Sequence, residues 1–385
     1  MRLKVVLAAA SVAALALPAA EAAADPAPPA LPAPASGCVG ASAVTVRDLP
    51  WATARMAPYL LSRLTDGQGV TVAVLDSGVS AGAAGLAGAV DGGVDVVSGG
   101  PATTDCLGRG TAFAAIIAGR PVPGSGVVGM APGAGILPVR IIDPQGRVTA
   151  AALATGIREA ARRGARVILV GTGLAEDNPD LRAAVADAVA HDALVVAPVN
   201  DRTRGEAGRP PAAWFPAADP QVLAVGGVAV DGKPTEVTGP AAGVDVLAPA
   251  QGAVVPGPSG IGHYGVGGTG VAAAFVAGAA ALVRAAHPEL SEAAVRTRLL
   301  DTAERPGTGG PGTVDPYAAA TTVDVASGQR TVPDRPPVSL PEASAGDPAV
   351  TRAWLLCGTL GGATLLALVV LWLVRTRRSG APPLA

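Results

Sequence analysis

Three apolar runs in the middle of the chain end in residues that could serve an acyl-transfer site. Asp76 ends the run "VTVAVLD", Gly171-Thr172-Gly173 follow "ARVILV", and Asn200 ends "ALVVAPVN". Such runs are typical of buried parallel strands, and ligand sites in α/β folds lie beyond the carboxyl ends of those strands. A carboxylate that orients a base and an amide that polarises a carbonyl are two parts of such chemistry. A nucleophile and a general base are the missing parts.

Two helical segments rich in small residues look like enzyme motifs from which the reactive residue has been removed. The first, "GRGTAFAAIIAG", has Arg109 at its start, and the second, "GGTGVAAAFVAGAAALV", has Gly270 there. Acyl transfer needs a nucleophile and a base within hydrogen-bond reach of each other. Glycine has no side-chain atom to attack a carbonyl, and an arginine stays protonated and cannot accept a proton. Neither residue can therefore supply the missing nucleophile or the missing base.

Few other residues offer replacement chemistry. His263, in "GIGHYGVGGTG", is either a replacement base or an exposed loop histidine, and we expect Ser77, directly after Asp76, to have a structural role. No Cys/His spacing indicates zinc and no glycine-rich loop indicates phosphate binding, so we expect no metal and no cofactor.

Strands and helices alternate along the chain, which predicts an α/β fold with a mostly parallel central sheet and helices on both faces. The predicted strands are "VTVAVLD", "AGILPVRII", "ARVILVG", "ALVVAPVN" and "QVLAVGGV". The predicted helices are "RGTAFAAIIAG", "AAALATGIREAARRG", "DLRAAVADAVAHD", "GTGVAAAFVAGAAALVRAA" and "SEAAVRTRLLDTA", the last beginning at Ser291.

Both ends of the chain carry targeting patterns. A basic start and an apolar run predict a signal peptide at 1–24, with an uncleaved anchor as the alternative. An uncharged run followed by "RTRR" predicts a transmembrane helix at 351–375, with a buried core helix as the alternative. The predicted segments between and after these are a Pro/Ala-rich extension at 25–47, a folded domain at 48–322, a linker at 323–350 and a cytoplasmic tail at 376–385. The expected location is the cell membrane, with one span, the N-terminal domain outside the cytoplasm and the C-terminus inside.

Charge and cysteine content limit the partners and the compartment. The net charge is −2, and no Lys/Arg cluster occurs inside the chain, which argues against a nucleic-acid partner. Of the three cysteines, Cys357 falls in the predicted membrane helix. The other two, Cys38 and Cys106, would lie outside the cytoplasm, where disulfides persist, so we predict that they pair.

The blocks around Asp76, Arg109 and Gly270 together resemble the three signature blocks of the subtilisin-like serine proteases, or subtilases. The resemblance covers about residues 48–322 and implies a subtilisin-like fold. It places Asp76 at the position of the catalytic aspartate, Arg109 at that of the histidine and Gly270 at that of the serine. It also places Asn200 at the oxyanion-hole asparagine and Gly171-Thr172-Gly173 in the substrate groove.

Features outside those blocks resemble the mycosins, the membrane-anchored subtilases of actinobacterial type VII secretion systems. They include "PWATARM", "DCLGRGTA", "GVVGMAPGAGILPVRI" and the single C-terminal apolar segment. The resemblance implies two partners, the type VII secretion membrane complex and the membrane. We therefore predict a pseudoprotease that stabilises this complex. The alternatives are a module that holds peptide segments without cutting them and a residual serine endopeptidase.

The replacement of histidine by arginine carries its own structural prediction. A buried Asp76 without a cationic neighbour would be costly, and the guanidinium of Arg109 can reach its carboxylate. We predict an Asp76–Arg109 ion pair. The alternative is an Arg109 side chain that extends to solvent while backbone donors hold Asp76.

Overall fold

The computed structural model describes residues 27–32, 37–200, 213–235, 243–305, 310–322, 359 and 361–374. The chain divides into two compact units, Met1–Val323 and Asp324–Ala385. The predicted signal peptide at 1–24, the linker at 323–350 and the tail at 376–385 lie outside the described residues and stay predictions.

The first unit is built on an eight-stranded sheet in which every strand pairing is parallel. In chain order the strands of the unit are β1 (Thr71–Asp76), β2 (Val94–Asp95), β3 (Gly135–Arg140), β4 (Val167–Val170), β5 (Leu194–Pro198), β6 (Leu223–Val228), β7 (Val246–Pro249), β8 (Ala253–Pro256), β9 (His263–Val266) and β10 (Gly312–Thr313). The sheet order is β10-β7-β6-β5-β4-β1-β3-β2, and β8 pairs with β9 as a separate antiparallel hairpin. The predicted mostly parallel sheet is confirmed.

The helices of this unit are α1 (Trp51–Met56), a 3-10 helix (Pro58–Leu61), α2 (Arg109–Ala118), α3 (Ala150–Arg162), α4 (Pro179–Ala190), α5 (Thr269–Ala286), α6 (Glu292–Asp301) and α7 (Pro316–Thr321). Several begin at a side-chain cap, as helix starts generally do. Asn178 accepts from the first backbone N–H groups of α4, and Ser291, the predicted start, accepts from Ala294 in α6. α2 and α5 begin instead after Gly108 and Gly268, whose φ angles are 75° and 103°.

Helices cover both faces of the sheet, as predicted. Alternate side chains of β1 point to opposite faces. Val72 and Val74 pack in one hydrophobic cluster with α2 and α5, whereas Ala73 and Leu75 pack in another with α3 and α4. β1 is thus buried from both sides in the middle of the sheet, which accounts for its continuous apolar sequence.

The β8–β9 hairpin lies between the N-terminal extension and the rest of the domain. Cys38 and Cys106 form the predicted disulfide, and Val39 N–H donates to the Cys106 carbonyl at 2.8 Å. Backbone bonds also join Val44 to His263 and Leu31 to Gly265. The interpretation of His263 as an exposed loop residue is wrong, because it starts β9 and is only 2% exposed.

The second unit contains the apolar helix Gly361–Val374, whose side chains are exposed. It lies inside the predicted transmembrane segment at 351–375, the rest of which is outside the described residues apart from Thr359. Among the described residues, the one helix of 18 residues or more that is apolar enough to cross a membrane is α5, and most of it is buried in the first unit. α5 is therefore a core helix.

Candidate active site

The carboxyl ends of two strands and the N-terminal ends of two helices meet on one side of the domain. Asp76 is the last residue of β1, and Gly171 follows β4, its neighbour in the sheet. Arg109 is the first residue of α2, Gly270 lies in the first turn of α5, and these two helices pack against each other. The structure thus brings together four residues that lie far apart in the sequence and that the motifs had singled out.

The carboxylate of Asp76 is completely buried and lies against the guanidinium of Arg109. The distance from Arg109 Nη2 to Asp76 Oδ2 is 3.2 Å, and the same nitrogen donates to the Gly171 carbonyl oxygen at 2.9 Å. The other carboxylate oxygen of Asp76 accepts from the Ser77 N–H at 2.9 Å. The predicted Asp76–Arg109 ion pair is present, and the Arg109 side chain is directed inward and is 19% exposed.

Phe113 lies one turn after Arg109 on α2 and fills the space between that helix and α5. Its ring is 5% exposed, and the Arg109 Cζ lies 5.8 Å from the ring centroid, close enough for a cation–π contact. A β-carbon built on Gly270 would lie 2.9 Å from Phe113 Cζ, closer than β-carbons approach other atoms in proteins. Any side chain at position 270 would therefore require the Phe113 ring to move.

Gly171 is under the same restriction from two sides. A β-carbon there would lie 2.4 Å from Asp76 Oδ2 and 2.6 Å from Phe113 Cε2. Protein interiors have little spare volume, so the large side chains of Arg109 and Phe113 on α2 require glycines opposite them. The sizes of the side chains at these four positions depend on one another. We call the four residues the closed centre: Arg109, Phe113, Gly171 and Gly270.

Asn200 lies beside the closed centre, at the start of α5. The hydroxyl of Thr269 donates to the Asn200 backbone carbonyl. Asn200 follows β5, which is hydrogen-bonded to β4, and is 9% exposed. This placement agrees with the sequence analysis, in which Asn200 and Asp76 both lie at the carboxyl ends of parallel strands.

The segment predicted to line a groove is engaged by the protein itself. The Gly171 carbonyl accepts from Arg109, and Leu174, directly after the segment, exchanges two backbone bonds of 2.8 Å with Phe215. Thr172 is fully buried. A β-carbon on Gly173 would lie 3.1 Å from Cε3 of Trp214, whose ring therefore packs on that glycine.

Ser77 has the structural role predicted for it. Its hydroxyl donates to Asp105 at 2.8 Å and accepts from the Gly110 N–H at 3.1 Å. Asp105 also accepts from the backbone and hydroxyl of Thr111 and from the N–H of Gly108. Burial raises the pKa of Asp105, although these hydrogen bonds act in the opposite direction. This network fixes the loop before α2 and so positions Arg109.

His263 is held by groups that are not part of the closed centre. Its Nδ1 accepts from the Val46 N–H at 2.8 Å, and its Nε2 lies 3.1 Å from the Ser125 hydroxyl. Burial lowers the pKa of His263. Both ring nitrogens are thus engaged, Nδ1 by the N-terminal extension and Nε2 by Ser125 of the domain, which argues against the replacement-base interpretation.

Sequence reasoning missed three residues that shape this site, namely Asp105, Phe113 and Trp214. Phe113 was open to prediction, because residues four apart on a helix share a face, and this position faces the same way as Arg109. Asp105 and Trp214 lie in irregular segments with no periodicity to mark them. The described residues contain no group of three or more His, Cys, Asp or Glu side chains placed to hold a metal ion.

Comparisons with known proteins agree with this architecture. The model of the "Subtilase family" matches residues 67–333. Mycosin-1 of Mycobacterium tuberculosis is 32% identical over 332 residues, which cover 71% of this chain and 73% of that protein. Subtilisin DY of Bacillus licheniformis is 32% identical over 257 residues, which cover 66% of this chain and 92% of that protein.

Solved structures show the same likeness in three dimensions. The crystal structure of MycP1 from Mycobacterium smegmatis superposes with a TM-score of 0.66 at 28% identity, over 80% of this chain and 93% of that one. MycP3 protease from the type VII (ESX-3) secretion system gives a TM-score of 0.64 at 29% identity, over 77% of this chain and 97% of that one. The fold is therefore subtilisin-like and similar to that of mycosins, and the chain belongs to the subtilase family.

Proposed function

We propose that this protein is a membrane-anchored member of the subtilase family that does not hydrolyse peptides and serves as a structural component of a type VII secretion membrane complex. One observation carries the loss of hydrolysis: the Phe113 ring lies 2.9 Å from where a β-carbon at Gly270 would be. Position 270 has no side-chain nucleophile, and one could be placed there only if the Phe113 ring moved.

The base is the second missing part. Arg109 stands where the family motif has a histidine, and its guanidinium contacts both Asp76 and the Gly171 carbonyl. A guanidinium stays protonated at neutral pH and cannot take a proton from a hydroxyl. In subtilisin, loss of the serine or the histidine alone lowers kcat on the order of 10⁶-fold, so the loss of both leaves no route to this reaction.

The alternative of a peptide-holding module has less support. Capture of an extended peptide requires free backbone groups along an exposed strand. Here the Gly171 carbonyl is bonded to Arg109, Leu174 is paired with Phe215, and Trp214 packs on Gly173. The segment that would bind the peptide is engaged within the domain.

The secretion role is supported by the relatives and by the second unit. MycP1, 29% identical over 77% of this chain, is described as an essential component of the type VII (ESX-1) secretion system. The apolar helix Gly361–Val374 exposes leucine, valine and tryptophan side chains, which favours an anchor within the proposed span at 351–375. We further propose export by the signal peptide at 1–24 and a folded domain at 48–322 outside the cytoplasm.

Gene replacement tests the structural role. We expect deletion of the gene to reduce both secretion and the recovery of the secretion membrane complex. Wild type and Asp76→Asn should restore both equally, whereas a chain that ends after residue 350 should not. Protein levels measured by immunoblot provide the control for folding.

Two results would contradict the proposal. If Asp76→Asn accumulates normally but does not restore secretion, hydrolysis is required and the residual-endopeptidase alternative gains support. If deletion leaves both secretion and the membrane complex unchanged, the structural role is wrong.

A further inference from the structure

Four large apolar side chains lie exposed on the 3-10 helix, on the turn that follows it and on α7 of the first unit. Tyr59, Leu60 and Leu64 are each 55% exposed, and Tyr317 is 48% exposed. Tyr59 and Leu60 belong to the 3-10 helix, and Tyr317 belongs to α7, which packs against it. We call these four residues the tyrosine–leucine patch. Apolar groups clustered in this way mark interaction surfaces, whereas single exposed ones do not.

The backbone presents the patch in a fixed form. Pro58 and Leu61 of the 3-10 helix are buried and attach it to the core. The Leu64 and Thr65 N–H groups donate to the Leu61 carbonyl at 2.8 and 2.9 Å. Tyr59, Leu60 and Leu64 therefore stay exposed on an ordered turn, and their exposure is not the result of a loose chain end.

The composition of the patch fits a lipid surface. Tyrosine is enriched at membrane–water interfaces, and leucine with nearby basic residues is typical of segments that lie on bilayers. Arg63 lies between Leu60 and Leu64 in sequence and is exposed, whereas the guanidinium of Arg55, at the end of α1, is paired with Glu304. The carboxylate of Asp66 accepts from the Gln68 N–H within its own loop.

The path of the chain indicates which surface the patch meets. α7 carries Tyr317 and ends at Thr321, after which residues 323–358 lead to the apolar helix Gly361–Val374. Tethering raises the effective concentration of a domain at a surface, so a contact too weak to recruit a free protein is enough to orient an attached one. We propose that the tyrosine–leucine patch contacts the outer lipid surface and orients the domain on the membrane. This inference rests on the proposed anchor at 351–375.

Fluorescent labels on the full-length protein in vesicles test this contact. Cys357→Ala removes the one cysteine outside the disulfide, and a nitrobenzoxadiazole dye is attached at Leu64→Cys. Val97→Cys provides a matched control, because Val97 is 41% exposed and follows β2, at the sheet edge opposite β10. Leu368→Cys in the apolar helix reports insertion. The vesicles contain phosphatidylcholine and phosphatidylglycerol with a nitroxide on the acyl chain near the headgroup.

We expect quenching by the nitroxide lipid at positions 64 and 368 and little at 97. Because Leu60 is exposed, Leu60→Ser should leave the fold intact, which near-ultraviolet circular dichroism checks, and should reduce the quenching at 64. Val230→Ser, at another exposed apolar residue, should not.

Quenching at 368 without quenching at 64 would overturn the lipid contact and leave the anchor in place. Absence of quenching at 368 would contradict the anchor, and with it this inference. Shielding of position 64 from aqueous iodide without lipid quenching would assign the patch to a contact between protein copies and overturn the lipid contact.

Discussion

At the scale of residues, four positions together shape the site and support the proposed loss of hydrolysis. Arg109 neutralises a buried carboxylate, Phe113 fills the adjoining volume, and Gly171 and Gly270 leave room for both. A change at one position requires compensation at another, because interiors have little free volume. The substitutions at the catalytic positions are thus part of one packed arrangement.

The first prediction concerns Gly270→Ser. The new β-carbon would meet the Phe113 ring, so we expect a loss of stability of about 1–3 kcal/mol, as in other overpacked interiors. In the Phe113→Ala background the same substitution should cost less, with a coupling of at least about 0.5 kcal/mol. Urea unfolding of the two single variants and the double variant measures this coupling. Additive losses would show that Phe113 does not restrict position 270.

Restoring the catalytic side chains alone should not restore activity. Arg109→His with Gly270→Ser leaves the Phe113 ring against position 270, so we expect no peptide hydrolysis. Adding Phe113→Ala provides the space that a serine needs. Measurable hydrolysis by the double variant, without the third substitution, would contradict the role given to Phe113.

The second prediction concerns the buried ion pair. Arg109→Met leaves the carboxylate of Asp76 buried without its cation, which typically costs about 3–5 kcal/mol. Arg158→Met provides a matched control, because its ion pair with Asp180 is exposed and such pairs contribute at most about 1 kcal/mol. Thermal unfolding of both variants tests the difference. Equal small effects would mean that the Asp76–Arg109 contact does not support the fold.

At the scale of elements, the sequence was informative wherever an element is long and periodic. β1, α4 and α5 were predicted to within a few residues, since their apolar patterns arise from burial that extends along the whole element. β7, the β8–β9 hairpin and α7 were missed, because elements of four to six residues with Gly and Pro carry little periodicity.

The residues of the candidate site were predictable where a sequence motif includes them. Phe113 and Trp214 act through tertiary packing, which no motif records.

The third prediction concerns the junction between the N-terminal extension and β9. Burial lowers the pKa of His263 below the value of about 6.5 found in unfolded chains. The unfolded state therefore binds more protons in the window below pH 6.5, and stability falls as the pH drops through that window. We expect His263→Gln to flatten this dependence between pH 5 and pH 7.

Melting temperatures over this range provide the measurement. His191→Gln is the control, because His191 is exposed at the end of α4. If the melting temperature of His263→Gln depends on pH as steeply as that of the wild type, the acid sensitivity arises from other groups.

The fourth prediction concerns the disulfide that ties the extension to the loop before α2. Cys38 and Cys106 are separated by 68 positions, and a loop of this size gives a stabilisation of about 4 kcal/mol in the chain-entropy account. We expect Cys38→Ser with Cys106→Ser to lower stability by a similar amount and to abolish the effect of a reductant on unfolding. If a reductant still destabilises the double variant, the destabilisation does not arise from reduction of this disulfide.

At the scale of the whole molecule, the proposed loss of hydrolysis is compatible with an intact subtilisin-like fold. The parallel sheet and the buried α5 need no catalytic side chain, because they are packed mainly by apolar residues, and the one buried arginine described in α5, Arg284, is paired with Asp192. The proposed anchor and the tyrosine–leucine patch would place this domain at the membrane, where a structural partner of a secretion complex is required.

Peptide hydrolysis by the purified full-length protein in detergent tests the central claim most directly. The substrate is a diverse peptide library read by mass spectrometry, with Asp76→Asn as the matched variant and an active subtilisin as the positive control. The account predicts that the wild type and Asp76→Asn give the same background of uncut peptides. Cleavage by the wild type that Asp76→Asn abolishes would show that a working site survives, and would contradict the account.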